Sequence, residues 1–504
     1  MKPTKVALLS ALGMFLTSVS VYSLTPPGGL GKRGDAVNAA GAAVESASAA
    51  PVVAQSDPSR FTAGGNVMIE GRVGHAKMVR NAAGETFVML EVRGADGASA
   101  RGSAPVNLAL VIDRSGSMKG TRIRNAISAA TSAVDRLSDG DVVSVVTFDT
   151  QTQVVVAPTT IGPGARERVN AAIRGITLGG DTCISCGIDE ALSQLSRTSD
   201  KVSRMLLLSD GDANHGVRDV PGFRNMAQRA QSRGVSVTTI GVDVDYNEKI
   251  MTAIAQDSNG RHYFVENDSA LPRIFEQEAE SLTRTVASNV EATIELAPGV
   301  ELSRVFDRSF RRAGNQITVP LGSFTGAEVK TVLMKVRAPS GREGLTQLAD
   351  VQLGYRDLTS GTDGHCGGKL AVEIVADASQ ASELDALVLG RVQRSETAAV
   401  LKDVNNLFEQ GKLDEARNKL AQRQDALRVA ADKAKRVAPA ARAADVDRDF
   451  QRQMAAVGDA NRDFNAPQFA TPPPGAAAPA PAQESRAGKA AVKQNAERAL
   501  PLAF

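Results

Sequence analysis

Between residues 105 and 287 the chain alternates short, mainly apolar runs with segments in which apolar residues recur every three or four positions. The runs predict strands over 106–112, 141–148, 152–156, 203–208, 236–241 and 261–265. The three-to-four spacing predicts helices over 121–137, 166–173, 184–197, 222–233, 248–257 and 270–287; in the first of them Ile123, Ala126, Ile127, Ala130, Val134 and Leu137 share one face. Strands that are apolar on both faces and separated by amphipathic helices make an α/β fold, a doubly wound, mostly parallel sheet covered on both sides. Ligands of such sheets sit at the carboxyl ends of the strands.

On either side of this stretch the period falls to two. The segment ETFVMLEVR at 85–93 puts Val88, Leu90 and Val92 on one face, and 67–73 is a candidate partner. After Val286, residues Val290, Ala292, Ile294 and Leu296 alternate with polar ones, and 316–321, 331–336, 348–355 and 370–375 repeat the habit between glycine-rich turns. Evenly spaced alternating strands predict a β-sandwich. Two isolated strands cannot hold a sheet alone, so 63–104 and 288–378 are expected to form one sandwich with the α/β domain, 105–287, inserted into it. Residues 379–458 read as a helical hairpin, with Leu413, Leu420 and Leu427 at heptad spacing, Gly411 between the arms and Pro439 as a stop. The Ala- and Pro-rich stretch 459–504, with ATPPPGAAAPAPAQ, reads as a disordered tail. At the other end Lys2 and Lys5 precede an uncharged stretch from Val6 to Leu24, the plan of a signal peptide or anchor over 1–23 with a cut after Ser23, and the Gly/Ala/Ser/Pro-rich 24–62 reads as a flexible spacer.

Chemistry gathers where two strands end. The first strand runs into an Asp-x-Ser-x-Ser turn carrying Asp113, Ser115 and Ser117; GGDTCISCG at 179–187 offers Thr182; MLLLSDGD at 205–212 ends a strand at Asp210. Neutral hydroxyls can ligate a hard cation without saturating its charge, and the carboxylates at 113 and 210 balance that charge. The three segments in this order resemble the metal-ion-dependent adhesion site (MIDAS) of von Willebrand factor type A domains, a Rossmann-like fold, over about residues 105–285. Bacterial exported members with a flanking sandwich are similar in plan, as are members of the calcium-activated chloride-channel-like and inter-alpha-trypsin-inhibitor-like kind. The resemblance implies that Ser115, Ser117 and Thr182 contact Mg²⁺ (or Ca²⁺ or Mn²⁺), that Asp113 and Asp210 hold it largely through water, and that one position stays open for an Asp or Glu carboxylate of a protein partner. The loops 179–181 and 212–215 would then select the partner.

Composition narrows the alternatives. With 58 basic against 56 acidic residues, 4 % aromatics and no Trp, nucleic acid is not the expected partner, and membrane contact is expected only through the N-terminal segment. Three cysteines in 504 residues make no disulfide scaffold. Cys183 and Cys186, beside Thr182, read as buried filler or, alternatively, as a redox pair; a zinc site joining them to His365 and Cys366 is disfavoured, because adjacent residues are poor at wrapping one tetrahedral ion. None of the four histidines falls in a motif for a general base, and GGLGKRG at 28–34 lacks the phosphate-loop spacing, so no enzyme is expected. The expectation is an exported protein of the periplasm, cell envelope or medium that binds a protein through a divalent cation, in adhesion or assembly. The alternatives are a regulatory or accessory subunit of an envelope or channel-like machine, and a hydrolase whose site the motifs do not reveal.

Overall fold

The computed structural model describes residues 57–95, 105–196, 201–466 and 481–503. The signal or anchor segment, nearly all of the spacer and most of the Ala/Pro-rich run lie outside the described residues. The chain enters through β1 (Arg60–Gly64), β2 (Val67–Val73), β3 (Lys77–Val79) and β4 (Glu85–Gly94). β1 starts inside the stretch that composition marks as spacer. It pairs antiparallel with β2, and one aromatic anchors it: Phe61 lies so close over Gly71 that a β-carbon there would fall 2.2 Å from the ring.

The inserted domain runs β5 (Val106–Asp113), α1 (Thr121–Asp135), β6 (Val142–Phe148), β7 (Thr152–Thr160), α2 (Ala165–Arg174), α3 (Ile184–Leu195), β8 (Val202–Ser209), α4 (Val220–Ser232), β9 (Ser236–Val242), α5 (Glu248–Asp257), β10 (His262–Val265) and α6 (Leu271–Thr283). Its sheet has the order β10-β9-β8-β5-β6-β7, parallel throughout except for β7 at the edge. Central β5 explains why its sequence is apolar without alternation. Leu108, Leu110 and Ile112 enter the core under α1, α2 and α6, while Ala109 and Val111 enter the opposite core under α3, α4 and α5. Each buried Leu or Ile contributes about 1.5–3 kcal/mol over its exposed state. The chain leaves β5 for β6 on one side and returns to β8 on the other, so the winding reverses at β5/β8. In open α/β sheets ligands bind at such a reversal, outside the strands' carboxyl ends.

The closing helix stops at Thr283 rather than running to 287. Thr285 and Ala287 already pair with Thr325 and Asp357, because the β-branched Thr285–Val286 step and an available ladder favour extended backbone. The strands that follow are β11 (Thr285–Leu296), β12 (Glu301–Val305), β13 (Arg311–Ala313), β14 (Gln316–Thr325), β15 (Val329–Arg337), β16 (Gly344–Asp357) and β17 (Thr362–Val375). They form two sheets, β1-β2-β4-β15-β12 and β13-β14-β11-β16-β17-β3. β4 pairs with β15 across the whole insertion, Val88 opposite Met334 and Leu90 opposite Val332. Ile69, Leu90 and Val332 of one sheet share a core with Ile294, Val319 and Leu353 of the other.

The helical region is larger than a hairpin. α7 (Ala386–Glu409) and α8 (Leu413–Val437) turn at Gly411, whose φ of +76° suits glycine; α9 (Ala443–Phe464) and α10 (Arg486–Ala503) follow. The expectation of a disordered 459–504 is therefore corrected at both ends. In α9, Val446, Phe450, Val457 and Phe464 are buried, and α10 adds Ala491, Val492, Ala499 and Leu502 to the same core. Alanine is the strongest helix former and packs closely once neighbouring helices are present. Composition that groups it with proline hides that. Among the described residues no helix is long and apolar enough to cross a membrane.

Candidate functional site

β5 and β8 end side by side at the winding reversal, with Asp113 on one and Ser209 and Asp210 on the other. The turn after β5 is set by Asp113, whose Oδ1 accepts the Ser115 N–H at 2.8 Å. Ser209 Oγ donates to Asp113 Oδ2 at 2.6 Å, and Ser117 Oγ donates to Asp210 Oδ1 at 2.6 Å. The Ser115 and Ser117 hydroxyls face each other at 3.0 Å. Thr182 is brought in by its loop: Gly116 N–H donates to Gly180 O at 3.0 Å and Gly179 N–H to Arg114 O at 2.7 Å. Residue 179 has to be glycine, since a β-carbon there would sit 1.6 Å from a carboxylate oxygen of Asp149. A β-carbon on Gly211 would lie 3.4 Å from Thr182 Oγ1 and 3.6 Å from Ser117 Oγ, so the backbone after β8 runs close beside both hydroxyls.

Asp113, Ser115, Ser117, Thr182 and Asp210 thus come to one place, although 93 residues separate Ser117 from Asp210. The 212–215 loop is tied to it as well. Asn214 accepts the Thr182 N–H through its side chain at 2.8 Å, and Thr182 O accepts the N–H groups of Asn214 and His215 at 3.1 and 3.2 Å. His215 Nε2 lies 3.1 Å from Asp181. Cys183 and Cys186 form a disulfide beside Thr182 at the start of α3, so the reading as filler is corrected. Cys366 is a free thiol in sandwich strand β17, with its sulfur against Val67 O, and the zinc set is not assembled.

Asp113, Ser115, Thr182 and Asp210 are buried, whereas Ser117 is exposed and forms the open side. Burial pushes the Asp113 carboxyl up to about 6; hydrogen bonds from Ser209 and Ser115 pull it down, and the charge of Asp210 adds to the rise. Asp210 is also raised by burial, against the opposing pull of Ser117 and Arg122. Arg122 was not legible as a site residue. Its Nη1 donates to Asp210 Oδ2 at 2.8 Å and to Ser117 O at 3.0 Å, and its Nη2 pairs with Asp243 just past β9. Ser209 and Asn214 were not singled out either: Ser209 lies inside the 205–212 run and Asn214 inside the 212–215 loop, but nothing in their spacing marks them. Three hydroxyls and two buried carboxylates, with only one guanidinium against them, make a hard-oxygen set that suits a divalent cation. Among the described residues no group of three or more His, Cys, Asp or Glu offers another metal centre.

The family model of the von Willebrand factor type A domain matches residues 107–277. The uncharacterized protein sll0103 of Synechocystis is 28 % identical over 268 residues, 51 % of this chain and 63 % of that protein. The human inter-alpha-trypsin inhibitor heavy chain H4 is 30 % identical over 179 residues, 33 % of this chain and 19 % of its own length. The chain therefore spans less than two thirds of either relative. A von Willebrand factor type A protein from Catenulispora acidiphila has a solved structure that matches with a TM-score of 0.64 at 17 % identity, over 82 % of this chain and 91 % of that one, an agreement in fold.

Proposed function

We infer that this chain, a bacterial von Willebrand factor type A domain protein, is an exported, non-catalytic module that captures a protein partner through the ends of β5 and β8. The observation that carries the reading is the set of hydrogen bonds from Ser209 to Asp113 and from Ser115 through Ser117 to Asp210, with the exposed Ser117 between buried Ser115 and buried Asp210. When bound there, Mg²⁺ (or Ca²⁺ or Mn²⁺) would supply an open coordination position for an Asp or Glu carboxylate. Ser115, Ser117 and Thr182 would offer neutral oxygens, and Asp113 and Asp210 the balancing charge. The buried backs of these residues fix their positions before any ligand arrives, which limits the ordering cost of binding. The loops 179–181 and 212–215 flank the opening and would read the partner's surface around its carboxylate. A charged contact ringed by complementary surface carries affinity when water is excluded around it.

The test is capture of envelope or secreted proteins by the purified chain in Mg²⁺ and in EDTA, with Thr182→Ala alongside. Capture that needs Mg²⁺ and falls about tenfold or more in a folded Thr182→Ala variant supports the reading. Equal capture by both proteins at saturating Mg²⁺ places the binding face elsewhere. Turnover of a captured protein, or co-purification of a membrane complex irrespective of metal, favours the hydrolase or the accessory-subunit alternative.

A further inference from the structure

A second polar centre shares no lining residue with the β5/β8 loops. It is a cavity of about 650 Å³ where β8, β9 and β10 of the inserted domain, β4 and β15 of the sandwich, and helices α7, α9 and α10 converge. Nine Arg and Lys side chains line it against five Asp and Glu, an excess of four positive charges. Eight of the nine are arginines. Guanidinium forks match phosphate oxygens in pairs, and arginine is favoured where such recognition is needed.

The excess is built into the wall. Arg204 is buried; its Nη1 donates to Glu278 at 3.1 Å and to Ser281 at 2.9 Å, and its buried Nε has no hydrogen-bond partner among the described residues. Glu278 has no capacity to spare, since it also accepts from Thr238, Arg261 and Tyr263. Lys330 donates to the backbone carbonyls of Leu321 and Ser323 at 2.9 and 2.7 Å. Its ammonium is pushed down to about 8 by burial and by repulsion from Arg308, Arg204 and Arg261, against the attraction of Glu328. Two of the five lining acids, Asp449 and Glu497, are pushed up by burial, against the pull of Arg394 on Asp449 and of a hydrogen bond from the Phe264 N–H on Glu497. At the solvent side, Arg448 and Arg452 are exposed on α9, and Arg452 makes no salt bridge to a described carboxylate. Apolar side chains share the lining with the cations, among them Met89, Leu387, Val446 and Leu500.

We propose that this cavity binds a small phosphorylated organic molecule, its phosphates on the arginines and its body on the apolar residues of the lining. Phosphate suits the site better than carboxylate because each group brings up to two charges into a limited volume. The volume lies in the range of small-molecule and cofactor sites. Since the walls come from three parts of the fold, a ligand here draws α9 and α10 onto the inserted domain and stabilises the assembly by mass action.

The experiment uses the full chain in EDTA, with inorganic pyrophosphate and ADP as probes, citrate as the carboxylate comparison and NaCl matched for ionic strength. Calorimetry is expected to give saturable binding of pyrophosphate below about 1 mM, ADP at least as tight, and a rise in unfolding temperature that NaCl does not reproduce. In the double variant Arg448→Gln/Arg452→Gln, altered only at the exposed mouth, and separately in a Gln variant of the lining residue Arg394 on α7, which pairs with Asp449 at 3.3 Å (Arg394→Gln), affinity should fall about tenfold with unchanged circular dichroism. No saturable heat from either phosphate probe overturns the proposal, as does equal affinity in wild type and both variants. Citrate binding as tightly as pyrophosphate overturns the phosphate assignment, and pyrophosphate binding without ADP binding overturns the organic body.

Discussion

Glu278 and Asp113 are both buried carboxylates of the inserted domain, yet their surroundings differ in one respect. Glu278 on α6 accepts from Arg204, Arg261, Tyr263 and Thr238. Burial pushes its carboxyl up, but the two guanidinium charges and the hydrogen bonds prevail, and it lies below the usual carboxylate range. Asp113 accepts from a hydroxyl and a backbone amide, and the nearby guanidinium of Arg122 goes to Asp210 and Asp243 instead. Its carboxyl is left at about 6. Hydrogen bonds orient a buried carboxylate, but a formal countercharge is what keeps it ionised. The fold supplies that charge at Glu278, which ties α6 to β8 and β10, and withholds it at Asp113.

The largest effect separating the two should be on stability. Glu278→Ala strands the buried Arg204 and should cost about 3–5 kcal/mol in urea unfolding, whereas Asp113→Asn in EDTA should cost less than about 1 kcal/mol, because it removes a charge that burial disfavours. Equal costs would break the comparison. Next comes metal binding. Asp113→Asn should lower Mg²⁺ affinity by about a hundredfold, roughly 2.7 kcal/mol, while Glu278→Gln, if folded, should stay within about threefold of wild type by calorimetry.

A smaller change tests the one cation near the site. Arg122 is about a quarter exposed, so Arg122→Gln should cost the metal-free chain about 1 kcal/mol or less, and Mg²⁺ affinity should rise several-fold as Asp210 is released. Unchanged affinity would show that the guanidinium and the ion do not compete. The finest measurement is a carboxyl NMR titration in EDTA, with Asp113 expected near 6 and Glu278 below about 4.3. The signs of the linked stability are opposite. For Asp113, raised on folding, stability grows as pH falls from above 6 toward the unfolded value near 3.9; for Glu278, depressed on folding, stability is present above about 4.3 and is lost as pH falls through the folded value.

Much of the inserted domain was legible because each element solves its own burial problem. β5 reads as an apolar run, broken only by Asn107 before Asp113, since both faces are covered, and α1 reads as a stripe since only one is. The helical region was less legible for the same reason. α10 is only weakly amphipathic by sequence: an Ala-rich segment looks much the same whether solvated or packed, and α7 and α9 decide which. β1 is similar, a short segment held by one Phe that matters because Gly71 and Gly368 leave room for its ring.

The sequence by itself determined which oxygen donors stand where strands end. Asp113, Ser115 and Ser117 follow one apolar run, Asp210 follows another, and Thr182 stands just before a helix; their order resembles the von Willebrand factor A motif, and that resemblance joined them into one site. Only the tertiary structure decided which charges meet. Arg204 finds Glu278 across 74 residues, and Arg122 finds Asp210 across 88 and Asp243 across 121. No local period encodes such pairings. They follow from the order in which strands lie in the sheet, and the balance of charge at Asp113, at Glu278 and in the arginine-lined cavity is set by that order.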